Sequence, residues 1–425
     1  MDRREFLACS AAAAVPLALP GAVAAPGLEL RHGNREPSPV PTAAEYAEAH
    51  RFTRQLRRPR RIDLTRRRRA VVDIVEFHDQ VLDRAYPATR VWGYRAGWYW
   101  PSSPGPTILT RSNHPVDILW RNRLPRNVGT SLLDSHLLPV DPQGHLPSAH
   151  GQVPRGIPSV THLHGAHVAA EFDGGPDAWA TQYDERGSDH QQGYYRYENT
   201  QGTGTLWYHD HAVGITRLNV FAGLAGMYLV RDDNELRMMR NGALPCGDQE
   251  VELVIQDKNY DVDGNLDLPT GATGRLPSSF TQFILVNGAK WPVLDVEPKP
   301  YRFRILNASD SRFYILKIRE TSQASPENDL FLQVGTDLGF RAAALPLNQI
   351  IMAPAERYDI VIDFSDFAGK ELILENHGVD GPMRGFTSAL PLDPRTASND
   401  PSLPPYTFGN PFAPAPWPTR PPPGR

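Results

Sequence analysis

From about residue 70 the chain is written in short apolar or alternating runs. Val71-Val72-Asp73-Ile74-Val75-Glu76-Phe77 and Val116-Asp117-Ile118-Leu119-Trp120 have the length and period of strands with a buried face. Thr205-Leu206-Trp207-Tyr208-His209 and Met227-Tyr228-Leu229-Val230 continue the texture, Ser103-Pro104-Gly105-Pro106-Thr107 reads as turn chemistry between strands, and Arg231-Asp232-Asp233-Asn234 closes the block. A second block repeats it with Val251-Glu252-Leu253-Val254-Ile255, Tyr301-Arg302-Phe303-Arg304-Ile305-Leu306, Tyr358-Asp359-Ile360-Val361-Ile362-Asp363 and Glu371-Leu372-Ile373-Leu374, all period-2 strands. Two successive blocks, 70–235 and 245–390, predict an all-β molecule of two consecutive β-sandwiches with few helices.

The flanks read differently. Arg3-Arg4, the apolar stretch from Ala8 to about Leu19 and Ala22-Val23-Ala24 follow the charge, grease and small-residue order of an export signal over residues 1–25, and the adjacent arginines point to the twin-arginine route. The expectation is an exported, extracytoplasmic protein with no membrane anchor. Residues 26–69 are rich in proline and arginine, with clusters at Arg57-Arg58-Pro59-Arg60-Arg61 and Arg66 to Arg69. Such clusters suit nucleic acid, but the rest of the sequence has no nucleic-acid feature, and the expected form is a solvated arm wrapping the first block. Residues 391–425 include Pro414-Ala415-Pro416 and Pro421-Pro422-Pro423, which cannot supply ladder donors. That stretch reads as a disordered tail, either a linker or the product of a broken reading frame.

Composition changes the picture little. Proline at 41 and glycine at 34 of 425 residues favour turns over helices, and a net charge of -4 indicates neither an acidic nor a basic partner. Of the two cysteines, Cys9 lies in the leader. The remaining Cys246 excludes an internal disulfide, a zinc ribbon and an iron–sulfur cluster.

The chemistry lies in two His-x-His motifs. Thr161-His162-Leu163-His164-Gly165 is followed by Trp207-Tyr208-His209-Asp210-His211, with His209 standing 45 residues after His164. On a strand, side chains at i and i+2 share a face about 6.6 Å apart. Each motif therefore aims two imidazoles into one space, and two adjacent strands would place four nitrogen donors around copper, zinc, iron or nickel. His167 is three residues past His164 and points off that face. Gly202-Thr203-Gly204 precedes a strand and is no dinucleotide loop. Asn307-Ala308-Ser309 fits the glycosylation pattern but belongs to a strand motif.

Thr161-His162-Leu163-His164-Gly165, Leu206-Trp207-Tyr208-His209-Asp210-His211-Ala212 and Thr216 to Gly226 together resemble the first cupredoxin domain of bacterial multicopper oxidases. Within that family the similarity is to spore-coat laccases, phenoxazinone synthases and bilirubin oxidases. Arg90 to Tyr94 and Pro104 to Thr107 fit the same family upstream. Ile284 to Gly288, Tyr301 to Ser309 and Ala353 to Asp359 resemble its second domain, so the resemblance covers about 70 to 390. It implies cupredoxin-like Greek-key sandwiches, with His162 on a type-2 copper and His164, His209 and His211 on a type-3 pair. It also implies dioxygen reduction to water and oxidation of a phenolic or aminophenolic substrate. Asp173, nine residues after His164, matches a family acid that feeds protons to the oxygen site. The same aspartate is equally a turn residue before Gly174-Gly175.

The resemblance also predicts what is missing. The family closes its oxygen site with four more histidines and holds a type-1 copper with two histidines and a cysteine. After His211 the chain has one histidine, His377, and Cys246 has no neighbouring histidine. The expectation is a shortened oxidase with half of the oxygen-site ligands and little activity. The alternative is a non-catalytic copper-binding or scaffold protein of the cell exterior. Substrate and oligomeric state are not legible.

Overall fold

Strands dominate the structure, a computed structural model that describes residues 38–126, 131–142, 144–149, 151–268, 280–324 and 330–378. The expected leader over 1–25 and tail over 391–425 lie outside the described residues. No helix among the described residues is long and apolar enough to cross a membrane.

The first block folds into two facing sheets. One has the order β1 (Arg61–Asp63), β4 (Gly105–Arg111), β9 (Ala225–Arg231), β8 (Gly204–Asp210) and β6 (Thr161–His164). The other runs β3 (Thr89–Ala96), β2 (Arg69–Asp79), β5 (Val116–Asn122) and β7 (Tyr195–Tyr197). Between them Val72, Ile74, Trp92 and Tyr94 pack against Ile108, Leu163, Leu206, Tyr208 and Tyr228, all buried. The second block forms a larger sheet, β12 (Ala289–Lys290), β11 (Phe283–Val286), β10 (Glu250–Lys258), β13 (Pro300–Asn307), β18 (Arg357–Asp363), β15 (Phe331–Thr336) and β16 (Gly339–Leu347). This sheet covers a small one of β17 (Ile350–Met352), β14 (Tyr314–Glu320) and β19 (Leu372–Asn376). Val251, Leu253, Ile255, Phe303 and Ile305 face Tyr314, Leu316, Ile318 and Met352. The all-β reading therefore holds. Helices are short: α1 (Ala43–His50), α2 (Leu132–Ser135), α3 (Thr216–Ala222) and α4 (Asp233–Arg240).

Two expectations change in the structure. The arm is not simply solvated. Arg61–Asp63 is a strand paired in parallel with Thr107–Leu109, and Arg57 and Arg61 form ion pairs with Asp79 and Glu252 respectively. Arg57 and Arg61 thus tie the arm to the first and the second sandwich respectively, while Arg58, Arg60 and Arg61 keep exposed surface. The stretch Ser103–Thr107 is not all turn, because β4 begins at Gly105. A register irregularity between Gly105 and Ile108 lets Pro106 lie inside the sheet. Asn307 is no surface glycosylation acceptor, since it is fully buried and its amide donates to the carbonyls of Arg312 and Met352.

The period-2 alternation of β10 and β13 has an unexpected meaning. Every residue of β10 is buried. Its apolar positions face the second core, while Glu250 and Glu252 face the first sandwich. Glu235 of α4 accepts from Arg231 at 2.8 Å and Arg302 at 2.7 Å and also pairs with Arg304. Arg302 grips Asp359 through Nε at 2.8 Å and Nη2 at 2.6 Å. Burial opposes the charge on Glu235, yet Arg304, Arg231 and Arg302 outweigh it and bring its carboxyl down to about 2. Beside this network Trp207, Ala225 and Met227 pack on Val254, Leu306 and Ala308. Alternate polar residues that would normally meet water meet opposite charges here, and this welds the sandwiches together.

Candidate metal centre

β6 and β8 are antiparallel neighbours, with His162 opposite His209 and His164 opposite Trp207. His211 lies just past the end of β8, but its N–H still donates to the Val160 carbonyl at 3.0 Å, so the pairing continues. The strict pleat then does two things at once. Leu163 and Tyr208 enter the core, while His162, His164, His209 and His211 share the opposite face. Ring centroids lie 4.9 Å apart for His162 and His211, 5.4 Å for His162 and His209, and 5.5 Å for His164 and His209. Ligating atoms of His162, His164 and His209 fall within 4.8 Å of one another.

Tautomers are fixed from behind. His162 Nδ1 lies 2.7 Å from the Asp173 carbonyl oxygen, and His209 Nδ1 lies 2.7 Å from the Asp210 carbonyl oxygen. A carbonyl only accepts, so both Nδ1 atoms carry the proton and both Nε2 atoms keep bare lone pairs. His209 Nε2 is 3.3 Å from His164 Nδ1, and His211 Nδ1 is buried without a partner. Nitrogens converging in one space, with the rings of His162 and His209 each oriented by a carbonyl on its far side, can serve as the donor set of a metal site.

The surroundings of His164, His209 and His211 favour the neutral rings that ligation requires. Burial, then the Arg357 charge, then His162, lower the His164 pKa to about 4. Burial also holds His209 well below its ordinary range and lowers His211, with His162 adding to the effect. The Trp207 ring stacks on His209 with centroids 4.1 Å apart. The second sandwich closes one side. Arg357 Nε donates to the Thr205 carbonyl at 2.8 Å, and a Cβ on Gly165 would meet Leu338 at 2.9 Å and Arg357 at 3.0 Å.

Asp173 follows a single helical turn, Ala170–Phe172, and its Oδ1 lies 3.4 Å from His162 Nδ1. It is thus both a turn residue and a neighbour of the cluster. His167 is exposed and outside the cluster, as its spacing indicated. Sequence reasoning missed Asp210, Asn219 and Arg357. The Asp210 carboxylate accepts from the N–H groups of Val160 and Ala212, both at 3.0 Å, and from Asn219 Nδ2 at 2.8 Å. It ties the start of β6 to the end of β8. Burial pushes its pKa up to about 7 against those bonds. Its place inside the second His-x-His was the signal; its orientation into the core was not readable.

A family model described as multicopper oxidase matches residues 157–235, which hold both histidine pairs, Asp173, Asp210 and Asn219. The chain is 38% identical over 319 residues to a laccase from Bacillus subtilis, covering 72% of this chain and 57% of that protein. It is 36% identical over 305 residues to multicopper oxidase LPR1 from Arabidopsis thaliana, covering 69% and 48%. The chain belongs to the multicopper oxidase family. Its fold is similar to the crystal structure of the McoA multicopper oxidase from Aquifex aeolicus, with a TM-score of 0.60 and 26% identity over 76% of this chain and 60% of that one. The chain thus spans less than two thirds of each of these relatives. Within the matched span, β6 and β8 bring the four imidazoles onto one face.

Proposed function

We propose that His162 binds a type-2 copper and that His164, His209 and His211 bind a type-3 pair, in an exported oxidase that couples oxidation of a phenol or aminophenol to reduction of dioxygen. The observation that carries this reading is the convergence of imidazole nitrogens in one space, with the far sides of His162 and His209 held by carbonyls. Bound copper would supply the one-electron chemistry that connects such a substrate to dioxygen. The protein's own part is to hold His162 and His209 in one tautomer, to keep water out with Trp207 and to keep His164, His209 and His211 neutral. Asp173 stands beside His162 with a partly exposed carboxyl, so it can pass protons from solvent toward the oxygen site.

Residues 1–425 hold four of these imidazoles, and Cys246 has no histidine beside it in sequence. We therefore expect this stretch by itself to bind copper and to turn over little. The same count favours a second reading, copper binding outside the cytoplasm without catalysis. Residues 26–425 are expressed, loaded with copper and assayed for bound metal, visible absorption and oxygen uptake with 2-aminophenol. Stoichiometric copper that is lost in His162→Ala/His209→Ala, with little oxygen uptake and no blue band, is the expected result. Wild-type protein that takes up no more copper than the double variant overturns the site, and robust uptake of oxygen overturns the impairment.

A further inference from the structure

We infer that the first sandwich carries a second binding site, for a small aromatic carboxylate, in a cavity between its sheets on the side of β6 away from the histidines. The cavity measures about 450 Å³, within the range of small-molecule sites. Its position follows from the pleat of β6. Thr161 lines the cavity and His162, the next residue, belongs to the metal cluster. The two sites share a strand and nothing else, and this inference does not depend on metal binding.

One part of the wall is apolar. Ile74, Leu119 and Trp120 come from the four-stranded sheet, with Val160, Ala178 and Tyr195 opposite and beside them. Ser159, at 6% exposure, lines the same cavity with a buried hydroxyl that has no hydrogen-bond partner, and Thr161, at 1%, lines it too. The Tyr94 phenol neighbours Thr161, so the Ser159 hydroxyl is the more informative of the two. A buried hydroxyl left unpaired costs about 1–3 kcal/mol, a loss that a ligand's polar atom recovers.

The mouth carries the charge. Arg186 is exposed there and bonds the neutral amide oxygen of Gln192 at 2.9 Å, in the amide orientation that satisfies both groups. Among the described residues it makes no ion pair, so its guanidinium is open to a carboxylate. His190 Nδ1 lies 3.2 Å from the Ala178 carbonyl oxygen, which leaves Nε2 as an acceptor at the rim. A slot with an apolar wall, one cation at the rim and an unpartnered hydroxyl beneath it fits an aromatic ring with a carboxylate at one end and a hydroxyl at the other.

The test is calorimetric titration of the full chain, copper-free, with benzoate, 4-hydroxybenzoate and phenol. The expected order is 4-hydroxybenzoate tighter than benzoate, and both tighter than phenol. Arg186→Gln should weaken both acids about tenfold and leave phenol unchanged, whereas Ser159→Ala should erase only the advantage of the 4-hydroxyl group. Ala180→Trp, at the wall, should abolish binding of all three, with thermal melting showing that each variant folds. His162→Ala/His209→Ala should bind the acids like wild type, so failure of the metal reading and failure of this one are separable. No heat with any probe at millimolar concentration, or acid binding indifferent to both Arg186→Gln and Ser159→Ala, overturns the site.

Discussion

Which ring nitrogen carries a proton decides what each histidine of the cluster can do. Carbonyl oxygens behind His162 and His209 settle that question before any metal arrives. Removing one such donor, as in His209→Ala, is expected to lower copper affinity at least tenfold, read by competition with a chromogenic chelator; unchanged affinity would remove His209 from the ligand set. Lys290 shows the opposite use of burial. It is 1% exposed, and its Nζ lies 3.8 Å from the centre of the Tyr46 ring and 4.6 Å from that of Phe283. Burial lowers its pKa to about 6. Between that value and the ordinary lysine range the unfolded chain holds a proton that the folded chain lacks, so stability rises with pH across the window. Lys290→Met should flatten that rise and stabilise the protein by about 2 kcal/mol near pH 6. Urea melts at pH 6, 7.5 and 9 read both effects, and a profile as steep as wild type would contradict the assignment.

Among elements, β6 matters most and is only four residues long. It is held from outside its own ladder. Asp210 binds the Val160 N–H at its start, and the Asp173–Gly174 turn presses against its flank. Gly174 has φ +73, and a Cβ there would lie 2.2 Å from the Thr161 carbonyl oxygen. Gly174→Ala should therefore displace the backbone that aims His162, costing about 1–3 kcal/mol and weakening copper uptake. Gly175 has open space around its Cβ position, so Gly175→Ala is the matched control. Equal behaviour of the two variants in melting and copper titration would show that the turn does not position the strand. Both His-x-His motifs were legible because the period of 2 puts core and ligand residues on opposite faces of the same strand. The turn's hold on that strand was not, because it depends on contact between segments eleven or more residues apart.

For the molecule as a whole, the seam between sandwiches joins the histidine cluster to the second core. Glu235, Glu250 and Asp359 are buried among Arg231, Arg302 and Arg304. Taking one charge away leaves guanidiniums without a partner in a dry interior. Glu235→Gln is expected to cost about 3–5 kcal/mol and to turn one cooperative unfolding transition into two. Scanning calorimetry distinguishes that outcome from a uniform downward shift, which would mean that the apolar contacts of Trp207, Met227, Val254 and Leu306 suffice to couple the sandwiches. The alternation in Tyr301 to Leu306 announced a strand with two unlike faces, but it could not announce that Arg302 and Arg304 face carboxylates instead of solvent.

By itself the sequence determined the all-β character, the two blocks and the four imidazoles, because strand period and ligand spacing are local properties carried by neighbouring residues. Only the tertiary structure decided that β6 lies beside β8, that Asp210 turns inward to lock their ends, and that Arg357 reaches over from the other sandwich. It alone decided that Arg57 and Arg61 tie the arm to the first and the second sandwich. Those facts depend on register and on which charges share a buried volume, and both are fixed by the packing of segments far apart in the chain.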